Sequence, residues 1–208
     1  MDSLSFFCSN FEAIITSYYH LIISMNKAIF LLIIISLVSC KRNETTMFSL
    51  VDAGHSGVKF KNIIYETEKA NIIELEYLYN GGGVSIGDFN NDGLKYLFFT
   101  GNMVPNKMYL NKGDFEFEDI SSQAGIEAPY KWKSGSAVVD INNDGWLDLY
   151  VCTTISGDED VRRNMLFVNQ GLSDQGYPVF LDKAKEYGID YTGFSTNAAF
   201  FDYDGMAI

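Results

Sequence analysis

The chain has 208 residues, enough for one ordinary domain, with 15 Lys+Arg against 27 Asp+Glu and a formal net charge of −12. This acidic balance argues against a nucleic-acid-binding protein, because basic side chains are needed to neutralise phosphates. The 16 Phe, 13 Tyr and only 3 Pro predict a folded core and argue against a disordered chain.

The first 39 residues have the pattern of an export signal. The positively charged start Met25-Asn26-Lys27 is followed by an apolar stretch at 28–37 and a small residue, Ser39. This order is typical of a secretory signal, and the stretch is shorter than the roughly 20 residues needed to span a bilayer. We expect a hydrophobic signal helix within residues 1–39, with Met25 as the true start. The alternative is a hydrophobic hairpin made of residues 11–24 and 28–39.

The end of this segment, Leu37-Val38-Ser39-Cys40, resembles the lipobox of bacterial lipoproteins. In that family the cysteine is lipidated and becomes the mature N-terminus. The resemblance implies that Cys40 carries a lipid anchor and that residues 40–46 form a short polar tether. It also implies an exported protein held at the bacterial outer membrane, on its periplasmic or surface face.

A nine-residue acidic motif occurs completely at 140–148, nearly so at 88–96, and begins again at Asp202. Side-chain oxygens at positions 1, 3, 5 and 9, with glycine at position 6, suit calcium, which takes about six to eight oxygen ligands. Position 7 would add a backbone carbonyl. The predicted ligands are Asp140, Asn142, Asp144, Trp146 and Asp148 in the complete copy, Asp88, Asn90, Asp92 and Leu94 in the near copy, and, weakly, Asp202 and Asp204.

The three copies are predicted to differ in affinity. Tyr96 stands where the near copy should have its fourth carboxylate, so we expect weaker binding there, and little or none in the third copy. An EF-hand is excluded because Phe99 and Val151 occupy the position of its closing glutamate and strand-like residues follow. The alternative is that these Asn-Asp-Gly sequences only make hairpin turns.

Features between the motifs recur in the same order, which predicts a repeat of four short strands per unit. We therefore expect an all-β fold over residues 47–208, an incomplete β-propeller with two four-stranded blades and the start of a third. Short helical turns are expected at 121–125 and 183–187. The predicted strands are 83–89, 95–100, 107–111 and 115–120 in the first unit, 136–141, 147–153, 165–169 and 179–182 in the second, and 197–201 in the third.

Residues 81–93 and 137–148 resemble the FG-GAP/VCBS repeat family, and most of all its bacterial lipoproteins whose longer members carry a C-terminal ASPIC/UnbV domain. The resemblance implies a seven-bladed propeller with calcium in the loop between the first two strands of a blade. Tyr96, the shortened third motif and the lack of an ASPIC/UnbV segment depart from the pattern. The chain is therefore interpreted as an N-terminal fragment of a longer protein.

No catalytic constellation is predicted. His55 lacks triad partners, and Cys152 lies in a strand-like stretch where a buried thiol is expected. The predicted function is a calcium-binding repeat module for protein or carbohydrate binding and adhesion at the bacterial cell envelope. Its partners would be an unknown protein or glycan and, through Cys40, the membrane. The alternatives are a non-catalytic fragment of a larger hydrolase or lyase, or a truncated product without independent function.

Overall fold

The computed structural model describes residues 46–203 and Gly205, together with the single positions Tyr18 and Ile29. The predicted signal helix and the Cys40 anchor lie outside the described residues. The chain divides into two units after Ser49, and every element named below belongs to the second unit. Within the described part of the chain, no helix has the length and apolar character needed to cross a membrane.

The second unit contains two four-stranded antiparallel sheets, which confirms the all-β prediction and its two groups of four strands. In each sheet the strands lie side by side in chain order, an arrangement compatible with part of a propeller-like fold. The first sheet contains β1 (Val84–Gly87), β2 (Tyr96–Phe99), β3 (Lys107–Asn111) and β4 (Phe117–Asp119), and the second contains β5 (Lys133–Val139), β6 (Asp148–Thr153), β7 (Met165–Leu172) and β8 (Pro178–Asp182).

Three short helices accompany the sheets: α1 (Ala53–Ser56), α2 (Ser121–Ala124) and α3 (Glu159–Arg162). Helix α2 lies at the turn predicted for 121–125 and ends where Gly125 takes a φ of 75°. The turn predicted at 183–187 is also present, with a backbone hydrogen bond of 3.1 Å from Tyr187 to Lys183. Helices α1 and α3 were not expected; each begins after an aspartate N-cap.

Some predicted strand limits are wrong for local reasons. Strand β4 begins later than predicted because Asp114 and Phe115 have φ values of 49° and 59°, which belong to a turn. Strand β5 begins earlier, at Lys133, and contains a bulge.

The third-unit strand predicted at 197–201 is not a strand in the structure. This stretch is preceded by two isolated backbone bonds to the second sheet, from Gly135 to the carbonyl of Thr196 at 2.9 Å and from Ser195 to the carbonyl of Thr153 at 3.2 Å. Isolated bonds do not make the ladder that defines a paired strand.

The main core lies between the two sheets, and an aromatic side chain from the first acidic motif is part of it. The Phe89 ring packs edge-on against Tyr96 of its own sheet and against Phe180 of the other sheet, both with centroids 5.8 Å apart. Strands β1 and β5 are also joined directly, by a 2.7 Å contact between the hydroxyls of Ser85 and Ser136. These contacts fix the first acidic motif against the second sheet.

Candidate cation-binding loops

The two acidic motifs form equivalent hairpin loops. Loop 1, residues 88–96, connects β1 to β2, and loop 2, residues 140–148, connects β5 to β6. In both cases the flanking strands pair antiparallel, so the loop closes a hairpin at the same place in each sheet. The repeated sequence therefore produces a repeated structural position.

The carboxylates at positions 1 and 5 and the asparagine at position 3 are gathered on the inside of each loop. In loop 1 the N–H of Asp92 donates to Oδ1 of Asp88 and to Oδ1 of Asn90, each at 3.2 Å. The equivalent distances in loop 2 are 3.1 and 3.3 Å. The residues brought together in loop 2 are Asp140, Asn142 and Asp144.

Positions 4 and 6 allow this curl because both take left-handed backbone angles. Asn91 and Asn143 at position 4 have φ values of 58° and 56°, and Gly93 and Gly145 at position 6 have φ values of 89° and 86°. The glycine N–H donates to the second oxygen of the position-1 aspartate, at 2.8 Å in loop 1 and 2.9 Å in loop 2. Glycine is required here for its backbone conformation.

The carboxylate at position 5 is bonded on both oxygens. Nδ2 of the position-3 asparagine donates to its Oδ2, at 2.8 Å in loop 1 and 2.7 Å in loop 2. The N–H of position 7, Leu94 or Trp146, donates to its Oδ1 at 2.7 and 2.8 Å. The carbonyl oxygens of Leu94 and Trp146 stay predicted ligands.

Position 9 is where the two loops differ. The side chain of Asp148 is 0 % exposed and accepts hydrogen bonds from the N–H of Ile141 at 2.9 Å and of Asn169 at 2.8 Å. Burial raises the pKa of the Asp148 carboxyl, and the nearby carboxylates of Asp144 and Asp140 raise it further, although the two backbone bonds act in the opposite direction. Asp148 is thus a buried negative charge beside two others.

In loop 1 the same position holds Tyr96, which is also 0 % exposed. Its hydroxyl is the one buried side-chain oxygen or nitrogen among the described residues that has no hydrogen-bond partner. Burial raises the pKa of this phenol well above its usual range, and the carboxylates of Asp92 and Asp88 add to the shift. The prediction that Tyr96 replaces a carboxylate therefore has a structural counterpart, a buried polar atom with unmet bonding capacity.

The third copy of the motif is described only in part. Oδ1 of Asp202 accepts a hydrogen bond from the N–H of Gly205 at 2.8 Å. Asp204 lies outside the described residues, so its predicted role as a weak ligand is untested.

Loops 1 and 2 are bonded to each other. Nδ2 of Asn91 in loop 1 donates to the carbonyl of Gly145 in loop 2 at 3.1 Å. Nδ2 of Asn169, within β7, donates to the carbonyl of Phe89 in loop 1 at 2.9 Å. Neither asparagine was singled out as functional from the sequence. The one available signal was the Asn-x-Gly sequence that recurs in both units, at 111–113 and at 169–171.

The donor chemistry of loop 2 fits a hard cation. It offers three carboxylates and an amide oxygen, the ligand types that a hard cation prefers. Among residues 46–203, however, no three Asp, Glu, His or Cys side chains come together as a ready-made metal cluster. Asp148 bonds to backbone N–H groups and does not join Asp140 and Asp144 directly.

The residues considered for catalysis have other contacts. The imidazole of the exposed His55 contacts the backbone carbonyl of Asp114 through Nε2 at 2.8 Å. Cys152 is a free thiol, 1 % exposed, and burial raises its pKa to about 11, so it is protonated near neutral pH. Neither side chain has the environment of a nucleophile or general base.

The FG-GAP-like repeat family matches residues 75–151 of the chain. Three relatives, all named cartilage acidic protein 1, are similar to part of it. The Xenopus tropicalis protein is 36 % identical over 89 residues, which is 43 % of this chain and 14 % of that protein. The human protein is 35 % identical over 72 residues (34 % and 11 %), and the mouse protein 32 % identical over 69 residues (33 % and 11 %). The chain therefore matches only a small fraction of each relative's length.

The family match covers both acidic loops and runs from the segment before β1 into β6. FG-GAP repeats are generally non-catalytic and suggest a module of the protein-binding or adhesion type. Residues 75–151 of this chain are thus similar to the FG-GAP-like repeat family, and both acidic loops lie within the matched residues.

Proposed function

We propose that residues 47–208 are a calcium-stabilised binding module built from the blades of a β-propeller. The observation that carries the proposal is the same set of hydrogen bonds around positions 1, 3, 5 and 6 in both loops. A chance Asn-Asp-Gly turn needs none of these side chains to converge twice in the same way. A seven-bladed propeller would continue the chain-order sheets seen in this unit.

Calcium would supply the positive charge that holds each set of carboxylates together. In loop 2, Asp140 and Asp144 would approach the cation directly, and Asp148 would close the shell from the buried side. Without the cation these carboxylates repel one another, so binding stabilises the folded loop. Extracellular modules of this kind bind calcium at about 10⁻⁴–10⁻³ M.

Calorimetric titration of the full chain with calcium tests the proposal. We expect saturable heat at millimolar calcium, and loss of the loop 2 contribution in Asp144→Ala. Asp174→Ala is the matched control, because it removes the same charge from an exposed turn outside both loops. The absence of saturable heat in the unmodified chain, or an equal loss in both variants, would contradict calcium binding.

The partner of the module would bind at the opposite end of the strands from the loops. A cleft of about 910 Å³ lies there, and its lining includes Tyr77, Trp132 and Phe194 together with the polar Asn102 and Thr154. Aromatic faces beside amide and hydroxyl groups suit a sugar or a peptide. This arrangement supports a protein or glycan as the partner class.

An array of immobilised oligosaccharides and peptides tests the partner class. Binding that is lost in Phe194→Ala supports the cleft, because this ring is exposed and lines it. Phe115→Ala is the control, since Phe115 is similarly exposed in the β3–β4 turn, away from the cleft residues. Binding that both variants retain would move the partner elsewhere on the surface.

Export and lipidation through Cys40 belong to the same proposal. They are supported by the lipobox-like sequence, and they would hold the module at a bacterial cell envelope. Labelling with a radioactive fatty acid should mark the unmodified protein and fail to mark Cys40→Ser. Labelling that survives this substitution would refute the anchor.

A further inference from the structure

We propose that loops 1 and 2 bind their cations cooperatively, with Asn91 and Asn169 as the positioning residues that link them. This inference rests on the calcium binding proposed above and deepens it. Two separate hydrogen-bonded connections run from the ligand side chains of one loop to those of the other.

The first connection passes through exposed loop backbone. Nδ2 of Asn91 donates to the Gly145 carbonyl at 3.1 Å. The same peptide unit carries the N–H of Trp146, which donates to Oδ1 of Asp144 at 2.8 Å. On the loop 1 side, the peptide unit after Asn91 carries the N–H of Asp92, which donates to the position-1 carboxylate at 3.2 Å. Two peptide units and one side chain therefore separate the ligand sets.

The second connection is buried. Asn169 is 2 % exposed, and its Nδ2 donates to the carbonyl of Phe89 at 2.9 Å while its N–H donates to Oδ1 of Asp148 at 2.8 Å. Phe89 lies between Asp88 and Asn90, two predicted ligands of loop 1. Because Asn169 is buried, its hydrogen bonds are shielded from competition by solvent. A shift of the loop 1 backbone at Phe89 therefore changes the position of Asn169, which is bonded to Asp148, the position-9 ligand of loop 2.

We expect the coupling to be positive, meaning that a cation in one loop strengthens cation binding in the other, because the two loops lose conformational freedom together. A cation in loop 1 fixes the backbone around Phe89 and Asn91, so loop 2 loses less conformational freedom when it binds its own cation. Direct electrostatics act in the opposite direction, because an empty loop 1 keeps carboxylates that attract a cation to loop 2. That attraction is screened over about 8 Å at physiological ionic strength, whereas the hydrogen bonds are not. Weaker binding at loop 1 after loop 2, the stronger predicted site, is emptied therefore reports the bonded connections.

Calcium titrations of the full chain followed by Trp146 fluorescence test the coupling, because this residue belongs to loop 2. Trp132→Phe removes the other tryptophan and serves as the background. Loop 2 is the stronger predicted site and fills first, so emptying it with Asp144→Ala should weaken calcium binding at loop 1, measured by calorimetry, by about fivefold or more, the usual lower range of coupling between sites. In a chain that also carries Asn91→Gly this factor should fall, because one of the two connections is cut.

Asn143→Gly is the matched control for Asn91→Gly. Asn143 has the same position in loop 2 and nearly the same φ, and its side chain makes no hydrogen bond to any described residue. Glycine adopts this backbone angle freely, so neither variant strains the loop. The fivefold factor should survive in the Asn143→Gly background. In the unmodified chain, Trp146 fluorescence should show that loop 2 fills at lower calcium concentrations than loop 1.

The outcomes separate this inference from the proposed function. Unchanged or tighter binding at loop 1 in Asp144→Ala would overturn the coupling and leave calcium binding standing. An equal effect of Asn143→Gly and Asn91→Gly would also overturn it, because the bridge would then be irrelevant. No saturable response to calcium in the unmodified chain would remove both.

Discussion

Replacing Tyr96 with phenylalanine should stabilise the cation-free protein. The Tyr96 hydroxyl is fully buried and has no hydrogen-bond partner, so folding removes it from water without replacing the lost bond. An unsatisfied buried polar group costs about 1–3 kcal/mol. The oxygen-sized void that Tyr96→Phe leaves costs part of that gain, so the expected net increase in unfolding free energy is about 1–2 kcal/mol.

Urea unfolding in the presence of a chelator measures this change, and for a chain of this size each kcal/mol raises Tm by about 2–4 °C. Tyr150→Phe is the matched control. Its hydroxyl is also buried, but it donates to the carbonyl of Ile189 at 2.7 Å and accepts from Asn164 at 3.0 Å, so its removal should destabilise the protein. If Tyr96→Phe were as destabilising as Tyr150→Phe, the hydroxyl would have a partner and the reasoning would be refuted.

Three further changes test the packing. Burial lowers the pKa of Lys133 from 10.5 to about 8. Between these two pH values the lysine is protonated in the unfolded chain and largely deprotonated in the folded one. The free energy of unfolding should therefore rise with pH across that window, by a few kcal/mol. The difference between the unmodified protein and Lys133→Met in urea titrations isolates this slope, and a flat difference would contradict it. Gly83→Ala should destabilise the protein by about 1–3 kcal/mol in thermal unfolding, because the new Cβ would lie 2.7 Å from the backbone nitrogen of Ser136. Gly81→Ala is the control and should be neutral, because its Cβ would meet no atom within 4 Å. Asn164→Ala should cost about 1–3 kcal/mol in chemical denaturation because it leaves the buried N–H of Thr153 without its acceptor; a neutral effect would mean that another acceptor replaces it.

The strands and loops could be predicted because their signals are local. Each acidic motif determines its own turn through side chains that bond to backbone two to five residues away in the chain, as Asp88 does with Gly93. One strand limit failed where the backbone departs from a regular strand, at the positive φ of Phe115. Local chemistry repeated twice in one chain is therefore a dependable guide to this part of the fold.

The long-range contacts could not be predicted from the same patterns. Lys133 gives no sequence signal of burial, yet it is 1 % exposed because its ammonium donates to the carbonyls of Val104 and Ala128, at 3.0 Å each. The bridge from Asn91 depends on how the two sheets pack, which periodicity within one repeat does not specify. The acidic motifs thus predicted the positions of the two hairpin loops but not the hydrogen bonds between them.

The position of Phe89 has a consequence for how the protein folds. Phe89 belongs to the β1–β2 hairpin of the first sheet, and its ring packs against Phe180 on the last strand of the second sheet. A contact so distant in sequence forms late, since closing a long loop is slow. The first sheet cannot finish burying its aromatic residues until the second has formed. The two sheets should therefore unfold in a single transition, unlike stacked repeats whose stabilities simply add.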